Sequence, residues 1–346
     1  MTEYSKYIIS NKASIQKALL SLNQLSSEAL TLFVIDENEV MIGTLTDGDT
    51  RRKLIEGCNL SDSVLSVMNP NFHYVRKNDI NVQKIKLIKE KGIVLIPVLD
   101  EKNRICQIFN LKKKKSILPL DVVLMAGGKG ERLRPLTENM PKPLLLVGDK
   151  CIIDHNIDRL IEFGINNINV TVNYLKEQII DHFRKPRNET RINCITEPCY
   201  LGTIGSVKFI ETFHNDYILV MNSDLFTNIN YEDLFLHFIN NNADMSVVAV
   251  PYTVSIPYGV FDLDGRNIKG IQEKPVFNYY ANAGIYLFKK ELLKHIPDNE
   301  FFNATDFIDV LVEKGYNVIR FPLTGYWIDI GKHEEYKKAQ ELVKHM

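Results

Sequence analysis

Apolar residues recur along the first third of the chain in a repeated order. Two stretches with helical apolar spacing are each followed by a short apolar run, a polar turn and a second short apolar run. This spacing predicts a helix and two strands in each copy, and therefore an internal repeat. The predicted elements are helices at 14–25 and 79–92, and strands at 31–35, 40–45, 93–99 and 104–109.

Beyond residue 120 the apolar pattern changes, and continuous apolar runs typical of strands alternate with segments of amphipathic helical spacing. The pattern predicts strands at 121–126, 167–173, 190–196 and 217–222, and helices at 153–163, 175–184, 203–212 and 332–345. Strands without a polar face are typical of a mostly parallel, doubly wound α/β sheet covered by helices on both sides. Ligands of such sheets bind beyond the carboxyl ends of the strands, so the loops after residues 126, 196 and 222 are expected on one rim.

Charge divides the chain in the same place. Residues 1–116 carry 18 Lys/Arg and 13 Asp/Glu, whereas 117–346 carry 24 and 30, so the net charge of −1 combines two opposite parts. The cationic run Lys112–Lys115, followed by Pro119, predicts a boundary near 117 between a small domain (1–116) and a larger one (117–346). This balance argues against a basic nucleic-acid binder.

The composition excludes other classes. The longest apolar runs are strand-sized, which argues against a membrane span, and no apolar signal core follows Met1–Lys6. The five cysteines form no CxxC pair, so neither a structural zinc nor a disulfide framework is predicted. We expect a cytoplasmic protein with reduced thiols.

The loop after the first strand of the larger domain carries the most chemical information. Gly127, Gly128 and Gly130 directly follow a strand, and backbone N–H groups in such a loop can approach an anion closely. Arg132 supplies a planar fork for phosphate, and Lys142, held between two prolines, supplies a point charge. A Rossmann fingerprint would need glycine at 133, and no Walker A motif is present.

This composite resembles the signature of the sugar-1-phosphate nucleotidyltransferases, G-x-G-[TS]-R-L-x-P-L-T followed by P-K-P. The resemblance extends from about residue 120 to 346, with Glu131 standing where the family usually has Thr or Ser. It implies a GT-A-type, Rossmann-like sheet and transfer of a nucleoside monophosphate from an NTP to a sugar 1-phosphate. Arg132 would then hold the triphosphate, and Lys142 would bridge the reacting phosphates.

The resemblance also implies the remaining site residues. Asp224 in Asn-Ser-Asp and Asp329 in Trp-Ile-Asp-Ile-Gly correspond to the family's Mg²⁺ ligands. The implied nucleotide-binding residues are Ala126, Gly127, Gly128, Gly130, Glu197, Gly202 and Thr203. The implied sugar-phosphate residues are Glu273, Lys274, Asn282 and Gly284.

In the small domain, the segment 43–49 (Gly-Thr-Leu-Thr-Asp-Gly-Asp) resembles the end of a CBS motif. CBS modules occur in pairs and often bind adenosyl nucleotides; here Thr46 and Asp49 would contact ribose and phosphate. The second copy differs from the CBS motif, because Asn110 stands at the Thr position and Lys113 at the Asp position. The sequence therefore supports at most one ribose-type site. A pair used only for packing or dimerisation is the alternative. Because CBS pairs often dimerise, the resemblance also implies a homo-oligomer.

Residues 120–200 look most like the mannose-1-phosphate guanylyltransferase branch. With a CBS pair in front, the chain resembles guanylyltransferases that make GDP-glucosamine for legionaminic acid in flagellin glycosylation. This implies GTP and glucosamine 1-phosphate. The alternatives are mannose 1-phosphate with GTP, and uridylyl or thymidylyl transfer to a hexose 1-phosphate. Rivals from other classes are a GT-A glycosyltransferase, disfavoured because Asn222 replaces the first Asp of D-x-D, and a non-catalytic nucleotide sensor.

Overall fold

A computed structural model of the chain describes residues 4–25, 29–77, 79–188 and 190–345. It divides the chain into two compact units between Ile117 and Leu118. Within the described residues, every helix is too short or too polar to cross a lipid bilayer. All five cysteines are free thiols.

The N-terminal unit contains two three-stranded sheets with the same topology, ordered β1-β2-β3 and β4-β5-β6. In each sheet the first pair is parallel and the second antiparallel. The predicted internal repeat is thus confirmed as a repeat of topology. The elements are β1 Ile8–Ser10, α1 Ile15–Gln24, β2 Thr31–Ile35, β3 Met41–Thr46, α2 Asp47–Ile55, β4 Val75–Arg76, α3 Val82–Glu90, β5 Leu95–Leu99 and β6 Ile105–Asn110.

Matching caps begin the two repeated helices. The Ser14 side chain accepts a hydrogen bond from the Lys17 amide (3.3 Å), and Asn81 accepts one from the Lys84 amide (2.8 Å). These side-chain oxygens satisfy amides that the first helical turn leaves without a partner. Behind each cap, apolar residues at helical spacing are buried: Ile15, Ala18 and Leu22 in α1, and Val82, Ile85 and Ile88 in α3.

Helix α2 was not anticipated from the apolar pattern. Only Thr50 of its nine residues is buried, so the helix has no apolar stripe to reveal it. Its start is fixed instead by a capping box in which Thr46 accepts from the Asp49 amide (3.2 Å) and Asp49 accepts from the Thr46 amide (3.0 Å). The motif that resembles a CBS ligand site is therefore also the beginning of a helix.

The C-terminal unit is built on a seven-stranded sheet in the order β11-β10-β7-β12-β17-β14-β18. Neighbouring strands are parallel except β17, which is antiparallel to both β12 and β14. The predicted mostly parallel α/β fold is confirmed. The strands are β7 Leu120–Ala126, β8 Leu146–Val147, β9 Lys150–Cys151, β10 Asn167–Val172, β11 Ile192–Thr196, β12 Tyr217–Asn222, β13 Leu225–Thr227, β14 Met245–Ser255, β15 Val260–Asp264, β16 Asn267–Gln272, β17 Val276–Lys289, β18 Val318–Pro322 and β19 Trp327–Asp329. The helices are α4 Ile152–Glu162, α5 Lys176–His182, α6 Tyr231–Asn240, α7 Ala304–Glu313 and α8 His333–Val343.

The helix predicted at 203–212 is wrong. The segment forms only a short 3₁₀ turn at Gly205–Phe209. The backbone of Leu201, Ile204 and Gly205 instead bonds to Phe302, at 3.0 to 3.2 Å. These long-range bonds replace the local ones that a helix needs, so tertiary contact overrides the apolar spacing.

Two strands of the sheet, β14 and β17, extend lengthwise well beyond the strands on either side of them. β14 pairs with β18 only as far as Ala249, and β17 pairs with β12 only from Ile285. Between these limits β14 and β17 pair with each other to Ser255 and Val276, and the separate hairpin β15–β16 follows at their end. We call residues 250–282, comprising this ribbon and hairpin, the arm.

Candidate functional site

A cavity of about 650 Å³ lies beyond the carboxyl ends of the parallel strands of the C-terminal unit. The loops that follow β7, β10, β11 and β12 all contribute to its walls. This is the rim where strand direction places a ligand site in such sheets. Among the predicted residues, those that line the cavity are Ala126, Gly127, Gly128, Gly130, Arg132, Lys142, Glu197, Gly202, Thr203 and Asp224.

Glycine is required at two positions of the loop after β7. A Cβ atom on Gly127 would stand 2.7 Å from Oε1 of Glu197, so no other residue fits without displacing that carboxylate. Gly130 has a φ of +63° and is hydrogen-bonded through its carbonyl to the Thr137 hydroxyl at 2.8 Å. Gly128, by contrast, faces open space inside the cavity. The loop therefore leaves its backbone accessible to a bound anion.

Lys142 lines the cavity from a short 3₁₀ turn, Lys142–Leu144, that begins directly after Pro141. Its side chain is largely buried, and its ammonium donates a hydrogen bond to the carboxylate of Asp224, which follows β12. A proline on each side restricts the backbone of the lysine. The turn thereby aims one cation at the end of the central strand.

Asp329 reaches the same place from a distant part of the sequence. β13 and β19 form an antiparallel pair in which Asp329 lies opposite Leu225, and the Ile330 amide donates to the Asp224 carbonyl at 3.2 Å. Burial and then the neighbouring charge of Asp224 raise the pKa of Asp329, whereas Lys142 and Arg132 lower it. Two carboxylates and two cations therefore lie close enough to interact electrostatically, and three of the four (Arg132, Lys142 and Asp224) line the cavity.

The two carboxylates fit a hard divalent cation. Oδ1 of Asp224 is buried and has no hydrogen-bond partner among the described residues, while Oδ2 accepts from Lys142. An unpaired buried carboxylate oxygen is costly, and a bound cation would satisfy it. Mg²⁺ prefers oxygen ligands and typically takes one or two carboxylates together with phosphate oxygens and water. Asp224 and Asp329 are thus a suitable donor set for Mg²⁺.

Glu197 also lines the cavity and comes directly after β11. It is buried, its amide donates to the Val172 carbonyl at 3.0 Å, and its Oε2 has no hydrogen-bond partner in the described structure. Burial raises the pKa of this carboxyl, and nearby hydroxyls and the Leu201 amide only partly offset that effect. A carboxylate with spare acceptor capacity is therefore available to a bound ligand.

The predicted sugar-phosphate residues do not line the cavity. Glu273 and Lys274 are exposed between β16 and β17, within the arm. Asn282 is engaged locally, accepting from the Gly284 amide and donating to the Tyr286 hydroxyl, each at 2.9 Å. The structure brings the predicted nucleotide and metal residues together but leaves the predicted sugar residues outside.

Several cavity residues were missed by the sequence analysis. Asn222 lines the cavity and packs against the backbone of Gly284, where a Cβ would stand 2.6 Å from the Asn222 amide nitrogen. Ser223 ties β12 to β7 by donating to the Met125 carbonyl at 2.6 Å. Asn173 and Tyr200 also line the cavity. Ligand-binding residues of such sheets lie in the loops after the carboxyl ends of the strands. This rule points to Asn173, because Asn173 comes directly after β10.

One further polar cluster lies in the C-terminal unit. Potential ligand atoms of Cys151, Asp154 and His182 lie within 4.8 Å of one another. The guanidinium of Arg187 contacts Asp154 at 3.1 Å and Asp158 at 2.6 Å. Because a fixed cation already pairs with the only carboxylate of the three, this cluster is an ion-pair network.

Comparisons with known proteins show what the chain is similar to. The chain is 34% identical over 220 residues to the bifunctional protein GlmU of Methanocaldococcus jannaschii, a match covering 62% of this chain and 52% of that protein. It is 30% identical over 226 residues to the mannose-1-phosphate guanyltransferase of Kluyveromyces lactis, covering 62% of each. The chain thus spans between about half and two thirds of the length of these relatives.

Among solved structures, the fold is similar to HddC from Yersinia pseudotuberculosis, with a TM-score of 0.50, 26% identity, and coverage of 64% of this chain and 99% of that one. HddC has also been solved in complex with GMP-PN, with the same similarity to this chain. Residues 121–345 match the family model described as Nucleotidyl transferase. The chain therefore belongs to the nucleotidyl transferase family.

Proposed function

We propose that this chain transfers a nucleoside monophosphate from an NTP to a sugar 1-phosphate and releases pyrophosphate. The observation that carries the proposal is the meeting of Lys142, Asp224 and Asp329 at the end of β12, beside a glycine loop. The site combines donors for phosphate with oxygen ligands for a cation. The name of one relative, mannose-1-phosphate guanyltransferase, supports the same reaction class.

In the proposed reaction, an oxygen of the sugar 1-phosphate attacks the α-phosphorus of the NTP. The bond from the α-phosphorus to the bridging oxygen breaks, and that oxygen leaves with pyrophosphate. Both reactants are anions, so catalysis consists mainly of positioning and charge neutralisation. Arg132 holds the triphosphate and balances charge on the departing pyrophosphate, and Lys142 bridges the reacting phosphates. No general base is needed, because the attacking phosphate is already ionised.

Asp224 and Asp329 are the proposed ligands of Mg²⁺ in this site. When bound, the cation neutralises phosphate charge and polarises the phosphoryl oxygen. In the structure, Lys142 pairs with Asp224. Substrate phosphate would give this ammonium a second anion to contact, while Asp224 Oδ1 stays available to the cation.

The proposed nucleotide is GTP, and Glu197 supports this choice. The Watson–Crick edge of guanine presents two adjacent donors, N1–H and N2–H₂, which match the two acceptor oxygens of one carboxylate. Uracil and thymine present one donor between two carbonyls, and those carbonyls would face Glu197 unfavourably. The complex of HddC with GMP-PN agrees with a guanine nucleotide in a related fold.

The proposed acceptor is glucosamine 1-phosphate, with mannose 1-phosphate as the alternative. Glu273 and Lys274 are adjacent in sequence and both exposed, so the first is free to pair with an amino or hydroxyl group and the second with phosphate. Both lie outside the cavity, so this assignment requires the arm to approach the substrate. A role in making GDP-glucosamine for surface-glycan or flagellin glycosylation follows from the same proposal.

The test is release of pyrophosphate by the purified chain with Mg²⁺, with each NTP assayed against a panel of hexose and hexosamine 1-phosphates. We expect turnover with GTP and a hexosamine 1-phosphate. Release only with a different NTP would contradict the GTP assignment but keep the reaction. Binding without release under any pairing would favour the nucleotide sensor. Sugar transfer from an NDP-sugar would favour a glycosyltransferase.

Variants connect this activity to the site. We expect Arg132→Ala and Asp329→Asn each to lower kcat/KM by about a hundredfold or more, as removal of a charge stabiliser usually does. Asp309→Asn, an exposed aspartate on α7, is the matched control and should retain full activity. Glu197→Gln should lower kcat/KM for GTP by at least about tenfold and narrow the preference for GTP over UTP, because one acceptor becomes a donor.

We also propose that the N-terminal unit is a CBS pair with one nucleotide site at Thr46 and Asp49. Both side chains are half-buried and hydrogen-bonded to each other at 2.6 Å, and Asp49 also accepts from Arg52 at 2.6 Å. A ribose hydroxyl would therefore compete with these bonds. Isothermal titration with AMP, GMP and CMP tests the proposal, and heat from none of them would favour the packing role.

A further inference from the structure

We propose that the arm is the surface through which two copies of this chain associate. The arm contains many large apolar side chains that its own unit leaves partly exposed. Monomeric proteins rarely expose contiguous apolar patches of more than a few hundred Å², and larger patches commonly mark interaction sites.

The β14–β17 ribbon is exposed on both faces, and large apolar side chains line one of them. Tyr252 lies opposite Tyr279 and Val254 opposite Phe277, so all four side chains share one face. On the other face Thr253 donates to Asn278 at 2.9 Å. A strand face lined by large apolar side chains is usually covered by another layer. Here that face is open to solvent.

The hairpin at the end of the arm presents a second apolar face. Phe261 pairs with Ile271 and Leu263 with Ile268 across β15 and β16. The exposed fractions of these four residues and of the four on the ribbon lie between 36% and 61%. An aromatic side chain can bury roughly 150–250 Å². The uncovered parts of eight large side chains thus supply on the order of several hundred Å², a large share of the ~800 Å² per partner in a standard interface.

Charge favours a second copy as the partner. The arm carries three acidic residues (Asp262, Asp264 and Glu273) and three basic ones (Arg266, Lys269 and Lys274), so its net charge is zero. A two-fold interface brings the same surface against itself, and a surface of one sign would repel its copy. A partner of opposite charge would instead require a charged arm.

The backbone gives a second reason for self-association. From Val250 to Ser255, β14 is paired on one side only within the described residues, because β18 ends opposite Ala249. An unpaired strand edge is a template for another strand. Across a two-fold axis, the same edge of a second copy runs antiparallel to the first, so its donors and acceptors are complementary without any further sequence match.

Sedimentation velocity of the full chain over a wide concentration range tests the proposal. We expect a dimer whose dissociation constant rises at least about a hundredfold in Ile268→Asp, because a charge replaces a buried apolar side chain in both copies. Tyr279→Asp should act in the same way on the ribbon face. Val312→Asp is the matched control: Val312 on α7 is 57% exposed, similar to the 61% of Ile268, but lies outside the arm.

Cross-linking locates the contact independently of the variants. Unlabelled and ¹⁵N-labelled chains are mixed and treated with an amine-reactive cross-linker, and arm-to-arm links through Lys269 should contain one copy of each isotope. Thermal melts of each variant establish that the chain remains folded. A chain that is monomeric at every concentration would overturn the proposal. So would a dimer that persists unchanged in both Ile268→Asp and Tyr279→Asp, or mixed-isotope links that omit the arm.

Discussion

The ammonium of Lys142 donates a hydrogen bond to the carboxylate of Asp224, although the two residues are 82 positions apart. This contact joins the turn after Pro141 to the end of β12 and fixes the geometry of the candidate site. Because Asp329 lies beside Asp224, the lysine also offsets a pair of like charges. Its removal should therefore affect both chemistry and stability.

Lys142→Met is expected to lower kcat/KM by about a hundredfold or more and to lower the free energy of unfolding by about 1–3 kcal/mol, because a half-buried carboxylate loses its partner. Lys289→Met is the matched control, since Lys289 pairs with Asp244 at 2.7 Å away from the cavity. Lys289→Met should lower the free energy of unfolding somewhat but leave kcat/KM unchanged. Steady-state kinetics and urea melts provide both readings, and equal activity in the two variants would contradict the role of Lys142.

Two glycines of the cavity should respond differently to alanine. Gly202 has a φ of +79°, and a Cβ there would stand 2.5 Å from the Phe302 carbonyl oxygen, whereas Gly128 has open space around it. We expect Gly202→Ala to lower the free energy of unfolding by about 1–3 kcal/mol and Gly128→Ala to leave it unchanged. Gly128→Ala should instead raise KM for the NTP, since its methyl group lies where the backbone would meet phosphate. Denaturant melts and kinetics distinguish the two effects, and equal stability of the variants would contradict this account.

The thiol of Cys194 should make stability fall at alkaline pH. Burial raises the pKa of this thiol from 9.0 to about 11. As the pH rises through that interval, the unfolded chain loses the proton while the folded chain keeps it, so unfolding becomes more favourable. Urea melts between pH 8 and pH 10 should show a smaller decline for Cys194→Val than for the parent chain. Cys199→Val alters an exposed cysteine and is the control, so its stability should decline with pH as much as that of the parent chain. If Cys199→Val and Cys194→Val declined equally, the effect could not be assigned to the Cys194 thiol.

Thr46 should matter to the N-terminal unit whether or not a nucleotide binds there. Thr46→Ala removes the side chain that caps α2 and should lower the free energy of unfolding by about 1 kcal/mol. Thr46→Ser keeps a hydroxyl and should retain most of that stability. If Thr46→Ala left stability unchanged but abolished nucleotide binding in titration calorimetry, the hydroxyl would serve the ligand and not the helix.

Much of the fold could be predicted from local pattern. The helices at 14–25, 153–163 and 332–345 are observed at Ile15–Gln24, Ile152–Glu162 and His333–Val343, because a cap or a clear apolar stripe marks each of them. Strand 217–222 is observed with the same bounds. Helix α2 was missed because it buries only one residue, and the helix at 203–212 failed because its backbone bonds to residue 302.

The candidate site was predictable in part. Gly127, Arg132 and Lys142 belong to a dense motif whose residue types point to phosphate, and the structure places all three around one cavity. The adjacency of Asp224 and Asp329 depends on the β13–β19 pairing, which no local spacing encodes. Asn222 and Ser223 were missed since their function arises from contacts with β17 and β7.

By itself, the sequence determined the repeat, the α/β alternation and the phosphate-binding loop, because each is written in residues that are close together along the chain. Only the tertiary structure decided which carboxylates meet, which sugar-type residues stay outside the cavity, and that the arm exposes its apolar face. Those outcomes depend on contacts between strands far apart in sequence. The apolar residues of the arm would form the same sequence pattern whether they faced a core or solvent. Burial is a property of packing. The pattern of a strand therefore predicts an apolar face but does not indicate what covers that face.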